Sequence, residues 1–202
     1  MFTLLRKLYN WVLNWSKSPF GIYALFILSF LESFIFPIPP DVLLIALAVG
    51  SRLKAFKFAL ICSLGSIIGA IVGYSIGFYL WWDFNGISDF FYNNISSLNI
   101  NSFNNIKLYY EKYGFLIIFT AGFTPLPFKL ITISSGAFNI SFPIFIIAST
   151  LSRSSRFLLI AFLINKYGIA IESFIDKYFN ILSLLFIFIL FSAYLFIELF
   201  IN

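Results

Sequence analysis

Residues 20–50 read as one apolar stretch that is broken in its middle, and this break limits the fold more than any other feature of the chain. The break, "FPIPPD", holds Pro37, Pro39 and Pro40, with Glu32 just before it and Asp41 just after it. Proline removes a backbone donor and clashes with the preceding helical turn, so a helix must end here. The apolar arm over 42–49 that follows would reach only about 12 Å as a helix, against a bilayer core of about 30 Å. The arm cannot cross a membrane alone. Two carboxylates beside a proline break in such a setting require partners or water.

The setting is a membrane. Of 202 residues, 61% are hydrophobic and only 10% are charged, where a soluble domain carries roughly a quarter charged residues. Apolar runs of spanning length recur at 55–82, 141–165 and 181–201. The N-terminal stretch "MFTLLRKLYNWVLNW" lacks a short apolar core with a small-residue cleavage site, so no cleaved signal peptide is expected. Instead 1–17 reads as a basic amphipathic helix lying in the interface, with Phe2, Leu5, Leu8, Tyr9, Val12 and Trp15 at helical spacing.

A second broken unit occupies 114–139, where arms over 115–124 and 128–138 flank "PLP" with Pro125 and Pro127. Between the broken units lie the span at 55–82 and a polar external segment at 83–113. That segment carries a short amphipathic helix marked by Ile106, Tyr109, Tyr110 and Tyr113. Charge decides how the breaks are threaded. If both units are hairpins, one side holds Arg6, Lys7, Lys17, Arg52, Lys54, Lys57, Lys166 and Lys177, and the other holds Lys107 and Lys112. Eight cations against two obey the positive-inside rule. Full spans would instead turn Arg52, Lys54 and Lys57 outward.

Aligning Pro37 with Pro125 brings Pro39 onto Pro127 and Asp41 onto Lys129, and the following helices then match Ser63 and Ser66 with Ser149 and Ser152. The expected fold is therefore an all-α polytopic membrane protein in a single domain. It contains an inverted repeat of two opposed re-entrant hairpins, each followed by a transmembrane helix, with an interfacial helix before and a C-terminal span after.

Five charges fall at membrane depth: Glu32, Asp41, Lys129, Arg153 and Arg156. Unpaired, they would cost roughly 13–17 kcal/mol on insertion scales, so they must pair or face water. Two ion pairs leave one cation over, which suits an anionic ligand such as a phosphate. Arg153 and Arg156 share a helix face with Ser149 and Ser152, and guanidinium groups with hydroxyls suit phosphate oxygens. Carboxylates in low dielectric can exchange protons near neutral pH, as coupling to a proton gradient requires. Asp41 is expected beside the unit that carries Lys129, and Glu32 is the better candidate for carrying a proton. Structural ion pairing is the plainer alternative, with either carboxylate neutralising Lys129, Arg153 or Arg156. Gly65, Gly69, Gly73 and Gly77 form a stripe for close helix packing, not chemistry.

Other classes find little support. One cysteine (Cys62) and no histidine rule out a disulfide within the chain and argue against a zinc or haem site. No cofactor motif, enzyme constellation or nucleic-acid patch is present.

"E-x4-P-x-P-P-D" at Glu32–Asp41, "G-x3-G-x3-G-Y-x2-G" at Gly65–Gly77 and "F-T-P-L-P-F-K" at Phe123–Lys129 resemble the DedA family, also called SNARE-associated or VTT-domain proteins. "SRSSRF" at Ser152–Phe157 followed by "KYG" is closest to its YqaA-like branch. The chain has Pro39-Pro40-Asp41 where the wider family has a Pro-Gly-Glu turn. It also has Gly122 or Phe123, and Lys129, where members often carry arginines. The resemblance implies a multi-pass protein of the bacterial inner membrane with a cytoplasmic N-terminus. It further implies a flippase or scramblase for a phospholipid or polyprenyl-phosphate carrier lipid, linked to the proton-motive force. By matching position, Glu32 and Asp41 would be the acidic pair, and Lys129, Arg153 and Arg156 would meet the headgroup phosphate. Proton-coupled antiport of a small ion or cationic drug and a non-transport scaffold role remain the alternatives. A homo-oligomer is compatible with each reading.

Overall fold

The structure, a computed structural model, describes residues 18, 20–36, 38–82, 100–124 and 126–168. The expected interfacial helix over 1–17, part of the external segment, the C-terminal span at 181–201, and Pro37 and Pro125 lie outside the described residues. The described residues are all-helical. Helix α1 (Gly21–Glu32) and α2 (Asp41–Gly50) precede a short 3-10 turn at Arg52–Lys54 and the long α3 (Ala55–Trp82). Then follow α4 (Ile100–Phe123), α5 (Phe128–Ala137) and α6 (Phe142–Tyr167).

Local chemistry places the ends. Pro40 immediately precedes α2, Pro127 sits extended ahead of α5, and Pro143 occupies the first turn of α6, where a missing N–H costs nothing. Asn139 takes a positive φ of 53° in the tight link between α5 and α6, a conformation that asparagine tolerates.

At about 1.5 Å per residue, α1, α2 and α5 reach only about 15–18 Å. The stretch Arg52–Trp82 and the helix Phe142–Tyr167 are long and apolar enough to cross a membrane. The faces of α3 confirm its solvent: Phe56, Leu60, Leu64 and Ile68 are exposed, while Ser63, Gly65, Ser66 and Gly69 are buried. Small and polar residues inside with large apolar residues outside is the arrangement of a helix packed within lipid.

Contacts give the directions. Phe26 and Phe30 lie against Gly65 and Gly69, so α1 runs alongside α3 in the same sense as far as Ser33, which meets Ser66. From there α2 returns to the end from which α3 departs. That end also receives the C-terminus of α6, where Asn165 donates to the Arg52 carbonyl. The second unit is set the other way up. Phe103 of α4 stacks on Trp81 near the far end of α3, and Gly122 reaches Ser152 midway along α6. Helix α5 leaves from the middle and ends where Trp82 donates to the Ala137 carbonyl. The two long helices α3 and α6 pack on each other; α1 lies along α3 as α4 lies along α6, and α5 meets α3 as α2 meets α6.

One boundary differs from the sequence reading. The external amphipathic helix and the first arm of the second broken unit are a single helix, α4, which continues through Gly114. The drop in polarity there marks a change of surroundings, not a break in the backbone.

The core divides accordingly. One apolar cluster joins α1, α2, the start of α3 and the end of α6 around Leu25, Leu44, Phe58 and Phe157. The other joins the end of α3 to α4, α5 and the start of α6 around Tyr74, Ile118, Phe128 and Phe145. Between the two clusters, at mid-height, the helix breaks and the buried charges meet.

Candidate binding site between the helix breaks

Each buried charge is delivered by an element whose end or face the sequence fixes. Glu32 is the last residue of α1, Asp41 the first of α2, and Lys129 the second of α5. Arg153 and Arg156 project from the middle of α6 and are 2% and 5% exposed.

The five form two ion pairs and leave a surplus cation. Arg153 Nη2 donates to Glu32 Oε2 at 2.5 Å, and its Nε donates to Ser66 Oγ at 2.7 Å. Its guanidinium also lies between the rings of Phe128 and Phe157, at 5.0 and 4.7 Å from their centroids, a favourable seat for a desolvated cation. Arg156 grips Asp41 with two parallel bonds, Nε to Oδ1 at 3.1 Å and Nη2 to Oδ2 at 2.7 Å. Its third nitrogen, Nη1, donates to the Thr124 carbonyl at the end of α4. Arg156 thus joins both breaks. Asp41, expected beside the unit that carries Lys129, reaches that unit through Arg156 and not through the lysine: both arginines share one face of α6, and each carboxylate finds one of them. Lys129 makes no ion pair among the described residues and donates instead to the Ile35 carbonyl at 3.3 Å.

Four of the five, Glu32, Arg153, Arg156 and Lys129, line a cavity of about 200 Å³, with Phe36, Pro39, Leu126 and Pro127 completing the wall; Asp41 lies outside it, behind Arg156. Pro39, Leu126 and Pro127 are exposed, so the cavity opens beside the two breaks. Its volume is below the roughly 300–1,000 Å³ typical of sites that enclose whole drug-sized molecules.

Not every predicted residue gathers here. Ser149 and Ser152 are buried on the arginine face of α6 but do not line the cavity. Ser152 Oγ turns back to the Ser149 carbonyl, and Ser149 Oγ has no partner among the described residues. The glycine stripe does the packing expected of it, divided between units: Gly65 and Gly69 admit α1, while Gly73 and Gly77 admit α5 at Thr132 and Ile133. Sequence reasoning overlooked three supports. Ser66 fixes Arg153, the Thr124 carbonyl anchors Arg156, and Thr132 Oγ1 donates to the Ser33 carbonyl at 2.7 Å, tying α5 to the end of α1. Ser66 was signalled, being a polar residue inside a glycine stripe; a carbonyl acceptor leaves no sequence signal.

Known proteins extend this picture. The chain matches the VTT domain over residues 36–166, a stretch that contains every one of the site charges except Glu32. The chain belongs to the VTT-domain (DedA) family. An uncharacterized protein of Haemophilus influenzae is 37% identical, covering 76% of this chain and 77% of that protein. A homologue from Histophilus somni is 30% identical over 77% of this chain and 78% of its own length. A Methanocaldococcus jannaschii protein is 25% identical over 73% of this chain and 85% of its own. No solved structure matches this VTT-domain chain significantly. Family membership and the apolar helices make it a membrane protein with a transporter-like role.

Proposed function

We propose that this protein moves a lipid with an anionic phosphate headgroup across the bacterial inner membrane, with the headgroup passing through the cavity while the tails stay in hydrocarbon. In this reading the α1–α2 and α4–α5 units are re-entrant hairpins entering from opposite faces, and the cavity lies near the midplane. The basic end bearing Arg52, Lys54, Lys57 and Lys166 is then cytoplasmic. The single observation that carries the proposal is the surplus of positive charge at the cavity: Arg153, Arg156 and Lys129 line it against Glu32 alone, and with Asp41 bonded to Arg156 the five groups still sum to +1. A neutral or cationic substrate leaves that surplus uncompensated at membrane depth. Antiport of a metal or drug cation needs a carboxylate whose charge is not already neutralised, and both carboxylates are neutralised by arginines; a proton differs in needing only one oxygen. Glu32, with one oxygen bonded and the other unused among the described residues, carries the proton that links movement to the proton gradient.

Reconstitution in liposomes with labelled phospholipid and labelled polyprenyl phosphate, with and without a pH gradient, tests this. Movement of at least one of these lipids, accelerated by the gradient in the native protein and insensitive to it in Glu32→Gln, is expected. No movement of either lipid by folded protein would leave the scaffold reading standing.

A further inference from the structure

The two buried ion pairs look alike in sequence but differ in everything that determines whether an ion pair can exchange its anion. Asp41 opens α2, where the helix dipole favours a negative charge, whereas Glu32 closes α1, where the dipole opposes one. Asp41 uses both carboxylate oxygens on Arg156; Glu32 uses one. Arg156 commits all three guanidinium nitrogens, two to Asp41 and one to the Thr124 carbonyl. Among the described residues, Arg153 Nη1 donates no hydrogen bond. The seat of Arg153 also does not depend on its anion. Ser66 holds Nε, and Phe128 and Phe157 hold the guanidinium plane, so the side chain stays in place when the carboxylate leaves.

From this asymmetry we infer that Glu32 is a resident competitor for the phosphate, which binds to Arg153 and Lys129 by displacing the Glu32 carboxylate, while Asp41–Arg156 is a fixed brace between the two helix breaks. The inference rests on the phosphate reading above and divides the two arginines that the sequence treated as equals. Lys129 is the natural second ligand: it lines the same cavity and holds only a neutral carbonyl, at a relatively long 3.3 Å. Charge is then balanced when a monoanionic phosphodiester enters, because the five groups sum to +1. The displaced carboxylate stays ionised and swings to the break that follows α1; where it takes up a proton instead, the five groups sum to +2 and a dianionic phosphate monoester restores the balance.

The test uses the full-length protein in detergent with a short-chain phosphatidylglycerol as probe and the matching phosphatidylcholine as control, with affinity read by calorimetry. Phosphatidylglycerol is expected to bind and phosphatidylcholine to bind more weakly. Glu32→Gln, which keeps the shape and an acceptor for Arg153, is expected to bind about tenfold tighter by losing the competing charge. Lys129→Gln and Arg153→Gln are expected to bind at least about tenfold more weakly. Where Arg153→Gln does not fold, Lys129→Gln alone carries this arm, since its side chain is only half-buried. Native binding with Glu32→Gln unchanged or weaker overturns the competitor role while leaving the phosphate reading intact. No binding of the probe by the native protein overturns the phosphate reading and this inference together.

Discussion

The first half of the described bundle, α1 to α3, and the second, α4 to α6, repeat one plan of two arms, a proline break and a long helix, yet they divide the chemistry unevenly. Both carboxylates come from the break of the first half, and all three cations come from the second. The long helices diverge as well. At mid-height α3 offers Ser66 and glycines, whereas α6 offers Arg153 and Arg156. The repeat therefore supplies the geometry, bringing two breaks to one level, and divergence between the halves supplies the site. It follows that the charged groups also clamp one half to the other, since neither half can satisfy its own.

The most severe way to break the comparison is to remove one side of the brace. Arg156→Met leaves Asp41 buried without its partner, and a buried pair broken this way costs about 3–5 kcal/mol. Asp41→Leu is expected to cost a similar amount. The double variant Asp41→Leu/Arg156→Met, free of buried charge, is expected to recover much of that loss in thermal or denaturant unfolding. If instead the two losses add, the brace is not the clamp between halves. Arg153 is expected to behave differently, because its aromatic seat and Ser66 remain when Glu32 is neutralised.

Packing between the halves comes next in size. A Cβ at Gly77 would strike the Ile133 carbonyl of α5, backbone that cannot swing aside, whereas a Cβ at Gly114 would only reach an Ile140 methyl at 3.5 Å. Gly77→Ala is therefore expected to destabilise by about 1–3 kcal/mol. Gly114→Ala, within a helix, is expected to be neutral or to stabilise by up to about 1 kcal/mol. Equal effects at the two sites, measured by unfolding of purified protein, would show that α5 is not held where Gly77 places it.

Much of this architecture was legible in the sequence, for a physical reason. Proline cannot sit inside a helix and a short arm cannot cross a bilayer, so the two breaks, both arms of the first unit and the second arm of the second followed from residues alone. The expected short arm at 115–124, by contrast, is the end of the 24-residue α4. The expected span at 55–82 is α3, and 141–165 falls within one residue of the start of α6 and two of its end. The count of two pairs and a spare cation was legible too, because the cost of burying charge forces pairing whatever the fold. The matching of partners was not. Arg153 and Arg156 lie three apart on one face, so spacing cannot say which of them meets the end of α1 and which the start of α2. That depends on the rotation of α6 against both arms, which is set by long-range packing around Phe157 and Phe128. The stripe of Ser149 and Ser152 misled for a related reason: sharing a face with an arginine does not give a hydroxyl the length to reach the same cavity.

The finest distinction concerns hydroxyl ties within a half and between halves. Ser29 Oγ donates to the Cys62 carbonyl at 2.6 Å, joining α1 to α3 inside the first half, while Thr132 Oγ1 donates to the Ser33 carbonyl at 2.7 Å, joining α5 to the end of α1 across the halves. Each hydroxyl donates its one proton chiefly across helices and has one weaker second contact, Ser29 Oγ accepting from Cys62 Sγ and Thr132 Oγ1 lying 3.0 Å from the Lys129 carbonyl. Ser29→Ala and Thr132→Val are therefore both expected to cost about 1 kcal/mol in unfolding. They should part in function. Thr132 is one turn from Lys129, and together they hold two carbonyls in the break that follows Glu32. Thr132→Val loosens the break through which Glu32 yields its place, whereas Ser29→Ala leaves it alone. In the liposome assay, Thr132→Val should therefore change the rate of lipid movement or its response to the pH gradient severalfold, with Ser29→Ala close to native at equal stability. Equal rates for the two would mean that the tie between halves serves stability only, and that the freedom of Glu32 is set by the break itself.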